Sequence, residues 1–141
     1  MTTLAADQPR EYGTADFDDY PVIASDIIYQ GAAVGENGSG YARPLVAADP
    51  FLGFAEGTVD NSSGAAGAKT VRVLTRGVIK LPITSAAITL NDRQAVYASD
   101  DNTFTLTATS NTLIGYARRW VSTGIVLVEF DTLAVKAALQ V

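Results

Sequence analysis

Two pairs of neighbouring carboxylates, Asp18-Asp19 and Asp100-Asp101, are the residues of this chain whose types and spacing come nearest to chemistry. Paired carboxylates serve acid–base work and glycoside hydrolysis only when they face one another across a cleft. In an extended strand, sequence neighbours point to opposite faces of the sheet, so spacing alone makes neither pair converge. Asp100-Asp101-Asn102 offers oxygens to a cation such as Ca²⁺, yet it lacks the loop length and further acid of a recognisable calcium site and reads as a plain β-turn. The chain has neither histidine nor cysteine. That removes Ser-His and Cys-His pairs, thiolates, disulfides and the usual zinc, copper and haem ligands. There is no Walker-type glycine loop and no dinucleotide fingerprint. The expectation is a protein that is not an enzyme, with no cofactor and no metal site.

The elements that carry these residues read as strands, and they repeat. Leu52-Gly53-Phe54-Ala55 returns as Ile114-Gly115-Tyr116-Ala117. In the flanks, Tyr29 of Ile27-Ile28-Tyr29 answers to Tyr97 of Ala95-Val96-Tyr97, and polar turns at 35–38 and 100–102 follow. Tyr41 and Phe104 restart the strands, and hairpins return through 70–74 and 125–130. The expected organisation is one β domain, 27–141, holding two related units at about 27–81 and 87–131. A short C-terminal tail includes one or two helical turns over 133–139. Gly53, Ala55 and Gly57 alternate along their strand, which implies close approach of another backbone or of a bulky side chain, and Gly115 and Ala117 repeat the device. Residues 61–67 are small and polar and are expected to form an exposed hairpin loop.

Composition and charge narrow the class. With 141 residues, 48% apolar and 18% charged, the chain suits one globular domain with a real core. No basic start followed by an apolar stretch marks a secretory signal, and no apolar run reaches the ~20 residues of a membrane helix, so a soluble cytoplasmic product is expected. Up to Asp26 the acids Asp7, Glu11, Asp16, Asp18, Asp19 and Asp26 face Arg10 alone, and from residue 27 onward acids and bases balance. Residues 1–26 therefore read as an extended acidic arm, broken by Pro9, Gly13 and Pro21 and carrying Tyr12, Phe17 and Tyr20 among its acids. Ordering a backbone costs about 1 to 2 kcal/mol per residue, so such an arm reads either as a solvated tail or as a segment that orders against a partner that buries its aromatics and meets its acids with cations. An acidic arm on a neutral body argues against nucleic acid as that partner. Deleting residues 1 to 20 is expected to leave the body folded and to weaken attachment.

Two further features bear on binding. Alternation over 71–81 places Arg72, Arg76 and Lys80 on one face, a stripe that reads as solvated or as the seat of an acidic neighbour, such as the arm of another copy. Arg118-Arg119-Trp120 reads either as an exposed contact of the hot-spot type or as a core Trp at a strand end.

Units built as aromatic strand, polar turn, Leu/Ile-Gly-aromatic-Ala strand and a Val-rich return resemble the small capsid cement or decoration proteins of tailed bacteriophages. The resemblance runs from about Ile27 through Phe130, resting on Leu52 to Ala55, Val71-Arg72-Val73, Gly77-Val78, Leu81-Pro82, Ala95 to Tyr97, Leu113 to Ala117 and Val126-Leu127-Val128. It implies a small β-barrel or β-tulip on the outside of the expanded head, commonly a homotrimer at three-fold positions. The implied partners are the major capsid protein and further copies of the chain, with no nucleic acid and no membrane, in the virion after synthesis in the host cytoplasm. Contacts are expected at Tyr12, Asp16, Phe17, Asp18, Asp19, Tyr20, Arg118, Arg119 and Trp120, while Gly53, Phe54, Ala55, Gly115, Tyr116 and Ala117 mark the structural repeat. The competing classes are a receptor- or carbohydrate-binding module of a phage fibre or tail, and a plain structural subunit of another assembly.

Overall fold

The computed structural model describes residues 5–6, 16–84 and 86–139, the last three by backbone alone. Twelve strands, one 3-10 turn (Ile88–Asp92) and one short α-helix stand among the described residues, and the chain is all-β. A first antiparallel sheet contains β1 (Phe17–Pro21), β3 (Ala33–Glu36), β4 (Ala42–Pro44), β5 (Phe51–Ala55) and β7 (Thr70–Leu74), ordered β1-β7-β5-β3-β4. A second contains β8 (Arg76–Pro82), β9 (Ala95–Ala98), β10 (Phe104–Thr105), β11 (Thr112–Ser122) and β12 (Ile125–Asp131), ordered β8-β12-β11-β9-β10. Position by position the two orders are the same. β2 (Asp26–Ile28) and β6 (Val59–Asn61) pair as a separate ribbon, and α1 (Thr132–Leu139) closes the chain. No helix among the described residues is long and apolar enough to cross a membrane.

Register equates residues across the two sheets. Val34 opposes Gly53 as Val96 opposes Gly115, and Phe54 opposes Leu74 as Tyr116 opposes Glu129. Leu52 and Ile114 are the extra residues of matching β-bulges. The recurring glycine has one cause in both sheets: a Cβ on Gly53 would strike the carbonyl oxygen of Leu74, and one on Gly115 that of the equivalent Glu129. Of the two expected neighbours it is backbone that comes close at both glycines, whereas Gly57 has open space around it.

Several expectations change. Gly35, which opposes Phe51, is the counterpart of Tyr97, which opposes Leu113, while Tyr29 lies exposed in the turn after β2. Residues 17–21, read as arm, are β1 and pair along β7, so a deletion to residue 20 would strip an edge strand from the first sheet. Acidic side chains exposed at both Asp18 and Asp19 blur the alternation that would have marked it. Residues 76–81, read as the close of the first unit, lie in the first strand of the second sheet, and Tyr20-Pro21-Val22 is matched there by Leu81-Pro82-Ile83. Neither sheet closes into a continuous barrel: single parallel bridges, Val22 to Ala42 and Ile83 to Phe104, join the edge strands of each.

Thr75 alone separates β7 from β8. Its N–H donates to the Asp16 carbonyl (2.9 Å) and its carbonyl accepts from the Thr132 N–H (3.0 Å), so β1 and β12 abut on one side of a nearly continuous strand. One apolar cluster, with Val22, Ile28, Val34, Val71 and Val73, fills the first sheet. A larger one fills the second sheet and runs into the junction, where Phe54 packs edge-to-face on Phe130 (4.9 Å) and Phe51 (5.4 Å). Val135 of α1 seals this cluster.

Buried polar groups tie the loops down. Asp49, 8% exposed, accepts from Arg43 Nη2 (2.7 Å), Arg43 Nε (2.9 Å) and the Val46 N–H (3.0 Å). Its own carbonyl accepts from the Thr112 hydroxyl (2.8 Å), linking β11 to the loop before β5. Asn61, expected in an exposed loop, is buried: its amide donates to the Ile23 (2.8 Å) and Ala65 (3.1 Å) carbonyls, and the loop folds over it.

Candidate functional site

Equivalent positions in the two sheets meet different surroundings, and that difference creates an exposed face on the second sheet. In the first sheet Phe54 and Leu74 turn into the junction, Phe54 being 3% exposed. Their counterparts in the second sheet, Tyr116 and Glu129, face outward, Tyr116 being 41% exposed. Register builds this face in two rows across β11, β12 and β8: Tyr116–Glu129–Val78, then Arg119–Leu127–Lys80. A bulge between Ala117 and Arg119 supplies one extra residue, Arg118, which is how consecutive arginines both reach solvent. Arg118 forms an ion pair with Glu129. Arg119 and Lys80 have no ion-pair partner among the described residues.

Trp120 turns the other way. It is half-buried against the main core, its indole N–H is enclosed without a hydrogen-bond partner among the described residues, and its backbone N–H donates to Asn91 Oδ1 (2.8 Å). Of its two readings, the core Trp at a strand end describes this packing.

The acidic residues of the expected contact set lie on or beside β1. Asp16 pairs with Arg76 Nε (2.8 Å), and Asp19 approaches Arg72 Nε (3.4 Å), whose guanidinium also lies 5.6 Å over the Phe17 ring. Part of the basic stripe is therefore met by acids of its own chain. Both ion pairs are more than half exposed, a setting in which such pairs contribute about 0 to 1 kcal/mol. Tyr20 is half-buried and donates to Asp18 Oδ2 (3.3 Å); burial first, and then the Asp18 charge, push its phenol above the ordinary range. Tyr12 lies outside the described residues.

Only some of the expected contacts come together. Asp16 and Arg118 line one recess of about 460 Å³, with Arg76, Val78 and Asp131. Tyr116, Arg118 and Glu129 line a neighbouring recess of about 380 Å³ with Arg93, a non-glycine residue at φ 66°. Asp18 to Tyr20 lie along β1 in the other sheet, and Trp120 is packed inward. Sequence reasoning missed Val78, Lys80 and Tyr116 as surface partners of the arginines. The exchange of Phe54 for Tyr at the repeated position was the signal, because a phenol hydroxyl suits an exposed ring.

The carboxylate pairs have structural roles. Asp100 accepts from the Asn102 N–H (2.8 Å) and the Thr103 hydroxyl (3.0 Å), closing a turn. The Asp101 carbonyl accepts from the Ala33 N–H (2.9 Å), tying the two halves, and burial followed by the Asp100 charge raises its carboxyl pKa. Among the described residues no group of three or more His, Cys, Asp or Glu is arranged to hold a metal ion.

No curated protein matches the chain. A family model described as phage cement protein matches residues 14–128, from just before β1 into β12. Spanning most of the chain and nearly all of both sheets, that match shows that the chain belongs to the phage cement protein family, structural components of the virion capsid.

Proposed function

We propose that this chain binds the outer surface of the mature, expanded phage head and braces it, through the major capsid protein and through contacts with further copies of itself as a homotrimer at three-fold positions. The observation that carries the reading is the exposed face of the second sheet, where Tyr116, Val78 and Leu127 lie among Arg118, Arg119 and Lys80, while in the first sheet Phe54 and Leu74, the counterparts of Tyr116 and Glu129, turn into the junction. Aromatic and arginine side chains side by side on a rigid sheet suit a docking surface. The acidic stretch Asp16 to Tyr20, with Tyr12 before it, provides a second contact toward a neighbouring subunit.

The mechanism is linkage. A ligand that binds the expanded lattice and not its precursor stabilises that lattice by its binding free energy, repeated at every site. The test is co-sedimentation of the purified chain with heads stripped of accessory proteins, in expanded and unexpanded forms. Saturable binding to expanded heads alone, lost in an Arg118→Glu/Arg119→Glu variant that melts like the parent, supports the reading. Equal binding to both forms, or glycan binding by the isolated chain without head binding, overturns it.

A further inference from the structure

Before the single bridges at Val22 and Ile83, the first strand of each sheet has one edge without a partner among the described residues, and the two edges carry opposite charge. Among the described strands β1 pairs with β7 alone and β8 with β12 alone. In the first sheet the Val22 N–H donates to the Lys69 carbonyl (3.0 Å) and the Asp16 carbonyl accepts from the Thr75 N–H (2.9 Å). Even-numbered residues of β1 therefore bond β7, and the backbone groups of Phe17 and Asp19 point to the open side. In the second sheet the Ile83 N–H donates to the Gly124 carbonyl (2.9 Å), so odd-numbered residues bond β12, and Arg76, Val78 and Lys80 point to the open side.

The edges are equivalent by register: Phe17 matches Val78, Asp19 matches Lys80, and Pro21 matches Pro82. At the matched position one edge thus carries a carboxylate and the other an ammonium. The proline at the far end of each lacks an N–H and limits any added strand to the preceding residues. Because β1 and β12 lie on the same side of the long β7–β8 strand, the open edge of β8 faces the opposite way from the side that β1 occupies. Phe17 (44% exposed) and Val78 (48% exposed) add apolar surface to the two edges.

We infer that copies of this chain associate head to tail by strand addition, the acidic edge of β1 in one copy pairing with the basic edge of β8 in the next. This deepens the self-association in the reading above and rests on that part of it. Like-with-like pairing is rejected by charge, since β1 against β1 sets Asp18 and Asp19 against their own kind and β8 against β8 sets Arg76 and Lys80 together. Unlike edges attract and satisfy one another's backbone groups. The ion pairs of Asp16 and Asp19 within the chain are solvent-exposed and exchange at little cost. A contact between unlike edges is heterologous, and it closes into a ring where the rotation allows.

The absence of native cysteine makes a direct test possible. Chains carrying Phe17→Cys and chains carrying Val78→Cys are prepared separately, then treated with a short bismaleimide, alone and mixed, in solution and on expanded heads. The expected result is a cross-linked dimer in the mixture and none in either population alone. Lys80→Glu in the Val78→Cys chain should abolish the product, and Asp18→Lys/Asp19→Lys in the partner should restore it, with melting temperatures unchanged. Absence of the mixed product both in solution and on heads, or equal product in each single population, overturns the inference. Head binding without the mixed product rejects edge pairing and leaves the capsid role standing; the mixed product without head binding does the reverse.

Discussion

Replacing Gly53 by Ala tests the reason for the repeated glycine. Two penalties meet at this position. Its φ of 130° lies where side chains are disfavoured, which costs about 1 to 3 kcal/mol. The new Cβ would also meet the carbonyl group of Leu74, backbone held in the ladder and unable to swing aside, at a further cost of about 1 to 3 kcal/mol. Gly115 carries only the second penalty, against the Glu129 carbonyl, and Gly57 carries neither. Gly53→Ala should therefore lose about 3 to 4 kcal/mol, Gly115→Ala about half as much, and Gly57→Ala should fall within about 0.5 kcal/mol of the parent. For a chain of this size that graded series corresponds to a fall in melting temperature of about 10 °C or more for Gly53→Ala, readable by differential scanning calorimetry. If Gly53→Ala and Gly57→Ala melted together, close backbone approach could not be the cause of the repeat.

Arg43→Met leaves the buried Asp49 carboxylate with only the Val46 N–H; with Arg43 itself one-third exposed, the loss in urea unfolding should be about 2 to 3 kcal/mol, and an unchanged midpoint would contradict a structural role for the pair. The raised carboxyl pKa of Asp101 means that the folded state holds this proton more tightly than the unfolded chain, so its contribution is favourable at low pH and is lost as pH rises through the folded value. Asp101→Asn should accordingly raise the melting temperature at pH 7 more than at pH 3, and a uniform shift would contradict that sign. Removing residues 1–20 takes β1 from β7 and should lower the melting temperature clearly; an unchanged transition would show that β1 adds nothing to the sheet.

Where a local steric cause fixes a residue type, the sequence was readable. The repeated glycine follows from one carbonyl oxygen pressing on one α-carbon, so it survives in both sheets although the strands around it diverge. The alternation over 71–81 likewise placed Arg72, Arg76 and Lys80 outward correctly, because a half-buried strand must sort its side chains by face. What could not be read depends on distant partners. β1 is a strand because β7, far along the chain, offers it a ladder, and Asp18 and Asp19 disguise it locally. Asn61 looked like loop and is buried because Ile23 and Ala65 present carbonyls that only the fold brings near. For the candidate surface, the cluster Arg118-Arg119-Trp120 was visible, but the bulge that turns both arginines outward was not. The row joining Arg119 to Lys80 through Leu127 exists only once β11, β12 and β8 are aligned.

The pairing of first strand with last in each sheet also sets an order of folding. β1 can find its ladder only when β7 has emerged from the ribosome, and β8 must wait in the same way for β12. Such long-range closures carry a loop entropy that hairpins such as β11–β12 avoid, so they should govern the rate. Because Thr75 is the sole residue between β7 and β8, completing the first sheet fixes the direction in which the second must start. Synthesis from the N-terminus thus presents a paired first sheet to the half of the chain that is still being made, and that half completes the core around Phe51 and Phe54.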